Sequence, residues 1–195
     1  VRSMVIIIKR KTFDNNDVYC GNDTYSYGVV VLGSDSTISG SSIKVDSPVY
    51  ACGVNLEGYG LTVVDDNEII VSSEGSAYGI YSGMTSGGLS GNYTNNNISV
   101  DAYFAVGVEL GSPDENVVGN AIFVSGNYTV GVAAIPCIAY LPPTWAPSPI
   151  PIANRLVRGN IISLNASNVG DKDSGDSYVP AVTAGVYTVI GNMTI

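Results

Sequence analysis

The sequence predicts an all-β fold, a single-domain parallel β-helix, or solenoid, of about six coils of about 25 residues each. Three observations predict it. Apolar residues alternate with polar ones in short runs, glycines recur at a nearly constant spacing, and a phrase containing Asn returns once per interval. Because the runs are short and show period two without a helical stretch, they favour stacked strands.

The alternating runs read Ile-x-Val, with Leu in place of Val in the last one, and such a run exposes one face and buries the other. They begin at Ile43, Ile69, Ile98, Ile122 and Ile162. A glycine opens a second apolar strand in each unit, at Gly28, Gly53, Gly79, Gly107, Gly131 and Gly185. The glycine steps are 25, 26, 28, 24 and 54 residues, and each contains one Ile-x-Val run. The longest step is therefore one unit lengthened by insertions.

An amide residue stands two positions before each Ile: Asn67, Asn96, Asn120 and Asn160, with Ser41 in the same place. We expect the chain to turn there, because Asn tolerates left-handed backbone angles. Stacked coils would also let these amides bond along the axis. The stretch SGNYT occurs at 90–94 and again at 125–129, and we interpret it as one turn used twice.

These phrases resemble the repeats of right-handed parallel β-helices of the pectate-lyase-like superfamily. The resemblance is carried by VVGNAIFV at 117–124, LVRGNIISL at 156–164, YGVVVLG at 27–33 and VGVELG at 106–111, and it extends over roughly residues 27–195. The composition, which is rich in Gly and Asn and poor in Lys, is most similar to that of adhesin-like and sheath proteins of methanogenic archaea. The resemblance implies an extracellular scaffold at the cell surface.

Two insertions interrupt the expected solenoid of residues 27–195, which follows an N-terminal strand and entry segment at 1–26. The first, at about 136–153, holds six of the nine prolines and the single Trp, Trp145. It is interpreted either as a stiff contact arm or as a loop packed on the solenoid wall. The second, at 168–178, brings together Asp171, Asp173 and Asp176. These residues are a weak calcium candidate, and a solvated acidic turn is the favoured interpretation.

Composition limits the partners. The net charge is −9, with +4 on residues 1–11 and −13 on the remainder. An acidic body argues against nucleic acid, which needs a basic surface. No run of residues is long and apolar enough to span a membrane, and no cofactor motif is present. The three cysteines, Cys20, Cys52 and Cys137, fit no metal spacing, and their pairing is left open between a disulfide and small buried side chains.

Catalysis is not expected. Asp65 and Asp66 are the one adjacent acid pair of the repeat region, and their side chains should diverge. The chain has no His, and Arg155 and Arg158 lie about three and a half coils away, where they are expected to be surface charges. Paired carboxylates with a suitable acid or base, as in polysaccharide hydrolases and lyases, are therefore missing.

The favoured function is an extracellular structural subunit that assembles into a homo-polymer through strand edges, forming a sheath, envelope layer or filament. One edge is expected at the apolar strand Val5, Ile6, Ile7 and Ile8, followed by the basic Lys9, Arg10 and Lys11. The other is expected near Ile195, where the sequence ends within the repeat phrase, with Trp145 as a further contact. The alternatives are a glycan-binding adhesin module, using tyrosines such as Tyr59, Tyr81 and Tyr103, and, less favoured, a polysaccharide lyase or hydrolase.

Six sequons fit an extracellular protein that is glycosylated at a minority of them. The acceptors are Asn22, Asn92, Asn97, Asn127, Asn165 and Asn192, with Asn92 and Asn127 expected first.

Overall fold

The computed structural model describes residues 2–8, 12–83, 89–112, 114–134, 138–141, 146–149, 154–167, 184–188 and 192–194. Side chains are described for 12–83, 89–112, 114–134, 155–167 and 185–186. Within these ranges the chain is built of β-strands and turns, and no helix is long and apolar enough to cross a membrane.

Nineteen strands are described, most of them three to seven residues long. They are β1 (Arg2–Ile8), β2 (Thr12–Asp14), β3 (Asp17–Cys20), β4 (Tyr25–Val31), β5 (Ser36–Ser39), β6 (Ser42–Ser47), β7 (Tyr50–Leu56), β8 (Gly60–Asp65), β9 (Glu68–Ser82), β10 (Leu89–Thr94), β11 (Asn97–Leu110), β12 (Glu115–Val118), β13 (Ala121–Ala134), β14 (Ile138–Leu141), β15 (Ala146–Pro149), β16 (Asn154–Arg158), β17 (Ile161–Ala166), β18 (Ala184–Thr188) and β19 (Asn192–Thr194).

The strands stack in parallel into three walls, which confirms the predicted fold class of an all-β parallel solenoid. Wall 1 has seven strands in the order β2-β5-β8-β10-β12-β16-β19. Wall 2 contains β3, β6, the first parts of β9, β11 and β13, and β17. Wall 3 contains β1, β4, β7, the second parts of β9, β11 and β13, and β18. The antiparallel pair β14–β15 lies apart from these walls in the pairing scheme.

The number of coils differs slightly from the predicted six, because wall 1 stacks seven strands. The first coil also begins earlier than residue 27. Strands β2 and β3 already pair in parallel with β5 and β6, so the expected entry segment at 1–26 contains strands of the solenoid itself.

The Ile-x-Val runs form the inner face of wall 2, as the alternation predicts. Ile43, Ile69, Ile98 and Ile122 lie in register and are fully buried. Stacked Val and Leu side chains from wall 3 meet them, including Val54. The core is therefore a set of columns in which each side chain packs against its equivalents above and below.

The repeated glycines make this packing possible, because a side chain at these positions would enter the neighbouring coil. A Cβ atom on Gly53 would lie 2.5 Å from Cγ2 of Ile69 and 2.6 Å from the carbonyl oxygen of Gly79. Gly79 and Gly107 face the next Ile and glycine in the same way. The constant glycine spacing thus reflects close approach between walls 2 and 3.

Candidate functional site

The corner between walls 1 and 2, called corner 1–2, carries a continuous ladder of amides. Oδ1 of Asn96 accepts hydrogen bonds from the backbone N–H and from Nδ2 of Asn67, at 3.1 and 2.9 Å. Nδ2 of Asn96 donates to Oδ1 of Asn120 and to the carbonyl of Val64, both at 2.9 Å. Asn120 repeats the pattern with Asn160, and the N–H of Ser41 donates to Asn67 at 3.0 Å. The predicted bonding along the axis is confirmed.

The left-handed residue at this corner is not the ladder amide, so that part of the prediction is wrong. It is the preceding residue, for example Asp66 at φ 54°, Asn95 at 55° and Gly119 at 69°. The ladder Asn instead keeps its backbone N–H pointed along the stack, where the next Asn accepts it. The left-handed turn therefore needs Asn, Asp or Gly one position earlier.

The interpretation of SGNYT as one turn used twice is also wrong. The copy at 90–94 lies within β10 on wall 1, and the copy at 125–129 lies within β13, where the chain passes from wall 2 to wall 3. Tyr93 is therefore a core residue of wall 1, while Tyr128 packs edge-on against Tyr103 at 5.6 Å between ring centroids.

A buried polar cluster lies where wall 3 passes into wall 1, at corner 3–1. The hydroxyl of Tyr93 donates to Oε1 of Glu115 at 2.6 Å, and the N–H of Ser112 donates to Oε2 at 2.9 Å. Nε and Nη2 of Arg155 donate to the carbonyl of Ser112 at 3.1 and 3.0 Å. The phenol reaches Glu115 through the space beside Gly91, where any side chain would collide with the ring.

Burial dominates the acid–base behaviour of this region. Burial raises the pKa of Glu115 to about 7, although the Tyr93 hydroxyl, the Ser112 N–H and Arg155 each lower it. The pKa of Glu109 rises to about 8, first by burial and then by the charge of Glu115. Burial beside Glu115 also raises the pKa of Tyr93 well above its ordinary value. Tyr93, Glu109, Glu115 and Arg155 are each at most 5% exposed, so solvent does not screen their charges.

The expectation that Arg155 is a surface charge is wrong, since it is 5% exposed, whereas Arg158 is exposed as expected. An alignment of the repeats predicts that Arg155 lies beside Glu115. Glu115 and Arg155 each lie five residues before a ladder residue, Asn120 and Asn160, so their strands pair in the same register. Asp65, in contrast, lies near the surface, where it accepts hydrogen bonds from Thr94 and Asn95.

Aromatic side chains form a band on the outer side of wall 3. Tyr50 contacts Tyr27 and Tyr78 at 5.6 Å between ring centroids, and Tyr78 contacts Tyr81 at 5.3 Å. Of the tyrosines expected to bind sugars, Tyr59 and Tyr103 are more than half exposed, but Tyr81 is partly buried in this band. Burial, with a smaller contribution from Glu109, raises the pKa of Tyr81 to about 12.

The predicted assembly strand is present as β1. Its backbone pairs in parallel with β4, with Ile6 opposite Val29 and Ile8 opposite Val31. Lys9, Arg10, Lys11, Trp145 and Ile195 lie outside the described residues, as do the calcium candidates Asp171, Asp173 and Asp176.

The sequons differ in accessibility. Asn22, Asn97 and Asn165 are exposed. The half-buried Asn92 and Asn127 use their Oδ1 atoms to accept hydrogen bonds from Asn116 and Ser167. The side chain of Asn192 is outside the described part. Exposure therefore favours the first three acceptors over the expected pair, and glycosylation itself stays a prediction.

Metal ligation and cysteine chemistry are the remaining candidate functions of side chains in the described part. No group of three or more His, Cys, Asp or Glu among its side chains could hold a metal ion. Cys20 and Cys52 are buried, and burial raises the pKa of the Cys52 thiol above its ordinary range. Cys137 is outside the described residues.

Comparison with protein-family models, with curated proteins and with solved structures finds no match to this chain. The parallel solenoid is established by its strand pairing. The assignments to the pectate-lyase-like superfamily and to archaeal surface proteins stay predictions.

Proposed function

We propose that this chain is a non-catalytic structural subunit of an extracellular sheath, cell-envelope layer or filament, and that copies join through the edges of their strands. The one-sided pairing of the outermost described strands carries this proposal. Among the described strands, β1, β2 and β3 each pair on one side only. The same is true of β17, β18 and β19 at the other end. Such edges bind another strand readily, because their unpaired N–H and C=O groups are already aligned.

The two ends have complementary steps. Strand β1 extends wall 3 by one strand beyond β4, and β19 extends wall 1 by one strand beyond β16. In a head-to-tail stack, β1 of one copy would add to β18 of the next at the level where β19 extends wall 1. Walls 1 and 3 would then be continuous between copies, while wall 2 would lack one strand between β17 and β3. The +4 charge of residues 1–11 and the −13 charge of the remainder favour the same polarity. The resemblance to archaeal surface proteins supports an extracellular location.

Removal of residues 1–11 tests this proposal. The full chain should form large species in sedimentation velocity and negative-stain microscopy, and the truncated chain should not. Far-UV circular dichroism should show that the truncated chain keeps its β-structure. A variant with Lys9, Arg10 and Lys11 changed to Gln keeps the strand and removes the positive charges. It should still assemble, but its assemblies should dissociate more readily than those of the full chain. Equal assembly of the truncated chain, or a full chain that stays monomeric at high concentration, would contradict the proposal.

Glycan binding remains the second candidate function. A shallow polar groove of about 470 Å³ lies at the edge of wall 2, lined partly by Asp46, Ser72, Glu74 and Asp101. Carboxylates and hydroxyls of this kind can accept hydrogen bonds from sugar hydroxyls. Glycan-array binding by a monomer, abolished by Asp101→Ala, would favour this function over the structural one.

A further inference from the structure

The outer face of wall 2 is a regular array of side chains. Six strands stack in register, and their side chains alternate between the core and the surface. We number the levels 1 to 6 from β3 to β17. The middle outward column then reads, in order, Tyr19, Lys44, Ile70, Ser99, Phe123 and Ser163.

Large apolar side chains in this column stand at every second level. Tyr19 is 62% exposed, Ile70 is 37% and Phe123 is 45%, and they occupy levels 1, 3 and 5. The intervening positions are Lys44 and two serines. Because strands are about 4.8 Å apart, the large side chains repeat about every 9.6 Å, with gaps of similar size between them. Large exposed apolar groups in a regular row typically mark an interaction surface.

We infer that wall 2 is a lateral contact surface that binds wall 2 of a second copy, with the two solenoid axes antiparallel. This contact goes beyond the end-to-end assembly proposed above and does not depend on it, but it requires that Asn97 and Asn165, which lie on wall 2, carry no glycan. The inference rests on the pairing that a two-fold axis along the strands would create. That axis places level 1 opposite level 6, level 2 opposite level 5 and level 3 opposite level 4.

The central column is self-complementary in this arrangement. Tyr19 faces Ser163, and Ile70 faces Ser99, so each large side chain enters a gap. Lys44 faces Phe123, which is a favourable cation–π pair. A two-fold axis along the solenoid would instead place Tyr19 on Tyr19 and Lys44 on Lys44, so it creates collisions and like-charge repulsion.

The flanking columns place polar side chains opposite one another at the inner levels of the same arrangement. Glu68 at level 3 faces Asn97 at level 4, and Asp46 at level 2 faces Ser125 at level 5. Asp101 faces Ser72. The amide of Asn97 can donate to Glu68, whereas at the outer levels of the same column Asp17 faces the exposed Ile161. Within one copy Ser72 and Ser125 already donate their hydroxyl protons to Asp46 and Asp101, at 2.9 and 2.7 Å. This column is therefore ordered before association, and its pairs between copies add no hydrogen bond.

The available area is sufficient for a reversible dimer. Six strands of about six residues give a wall about 29 Å by 20 Å, or roughly 600 Å² per copy. The total of about 1,200 Å² is at the lower limit of specific interfaces, so we expect a dissociation constant in the micromolar range, about 1 µM or weaker.

A double variant measures the contact itself. Ile70→Ser with Phe123→Ser should raise the dissociation constant of the lateral dimer about tenfold or more in sedimentation equilibrium. Leu61→Ser is the matched control, because Leu61 lies on wall 1 and is 44% exposed. The control should leave the dimer unchanged, and an unchanged thermal midpoint should show that both variants fold.

Cross-linking tests the orientation and works inside larger assemblies. Asp46→Cys with Ser125→Cys keeps the central column intact, and these positions are three levels apart in one copy. A short bismaleimide linker should therefore join two copies of the double variant, whereas each single variant and the unmodified chain should remain unlinked. Two results together would overturn the inference: the Asp46→Cys, Ser125→Cys variant forms no cross-link between copies, and the Ile70→Ser, Phe123→Ser variant dimerises as tightly as the unmodified chain. Removal of residues 1–11 should leave the cross-link intact, so this contact and the end-to-end contact can fail separately.

Discussion

Corners 1–2 and 3–1 of the solenoid are built in opposite ways. In each described coil, corner 1–2 consists of two residues, a left-handed residue and the ladder residue that follows it. The neutral amides of the ladder form hydrogen bonds with one another along the solenoid axis. At corner 3–1 the described strands of wall 3 and wall 1 are separated by four, three, six and four residues in successive coils, from β4–β5 to β11–β12. This corner also contains the buried Glu115 and Arg155. A corner stabilised by its neighbours above and below must keep a constant length, whereas a corner stabilised within one or two coils can accept insertions.

The largest expected effect comes from the regular part of the fold. Gly79→Ala should destabilise the protein by about 4 kcal/mol, because the new Cβ would lie 2.5 Å from the carbonyl oxygen of Gly107 and would collide with Ile98. Gly185→Ala is the control, since it belongs to the same column but its Cβ would meet no atom of the described residues within 4 Å. Urea denaturation should separate the two variants, and equal losses would show that close approach is not the reason for the glycines.

The amide ladder should be the next most sensitive feature. Asn96→Ala removes the donor and acceptor that serve Asn67, Asn120 and Val64, so we expect a loss of about 3 kcal/mol in the free energy of unfolding. The neighbouring Asn97 is exposed, and Asn97→Ala should change it by less than about 0.5 kcal/mol. A ladder variant as stable as its neighbour would contradict the structural role of this corner.

Corner 3–1 should make stability depend on pH. The folded pKa values of Glu115 and Glu109, about 7 and about 8, lie above the ordinary carboxyl value, so the folded state binds more protons than the unfolded state. Their contribution is complete below about pH 4.5 and is lost as pH rises to about 8. We expect the free energy of unfolding to fall continuously as the pH rises from 5 to 8, because both carboxyls release their protons over this range.

Denaturant titrations across this range measure the pH effect. Glu109→Gln should reduce the change of stability with pH, because the amide does not titrate and only Glu115 remains. Glu68→Gln, at an exposed position of wall 2, should leave it unchanged. Stability that instead rises with pH would show that these carboxyls are not buried as described.

The smallest effect is expected for the phenol at corner 3–1. Tyr93→Phe removes the donor to Oε1 of Glu115 and leaves the Ser112 N–H on the other oxygen, so the loss should be about 1 kcal/mol. It should also raise the pKa of Glu115 further, because the hydroxyl lowers it. Tyr59→Phe, at an exposed ring, is the control for both measurements.

Residues that contact their own equivalents in the next coil can be predicted from the sequence. Ile98, Gly79 and Asn96 recur at fixed spacing because each contacts its own equivalent, so period alone reveals their roles. Glu115 and Arg155 occur once, and their strands become neighbours only after an interval of 40 residues. The local sequence around Arg155 therefore resembles a surface segment, and only the register set by Asn120 and Asn160 brings the two charges together. The left-handed position was missed for a similar reason, since Asp66, Asn95 and Gly119 share a conformation without sharing a residue type.

Oriented diffraction from assembled material tests the central claim, that parallel coils continue from one copy to the next through their strand edges. Filaments or sheets grown from the full chain would be pelleted, aligned and exposed to X-rays. A reflection at about 4.8 Å along the direction of growth, present for the full chain and lost on removal of residues 1–11, is the predicted result. A 4.8 Å reflection perpendicular to the direction of growth, or the same pattern from the truncated chain, would contradict the account.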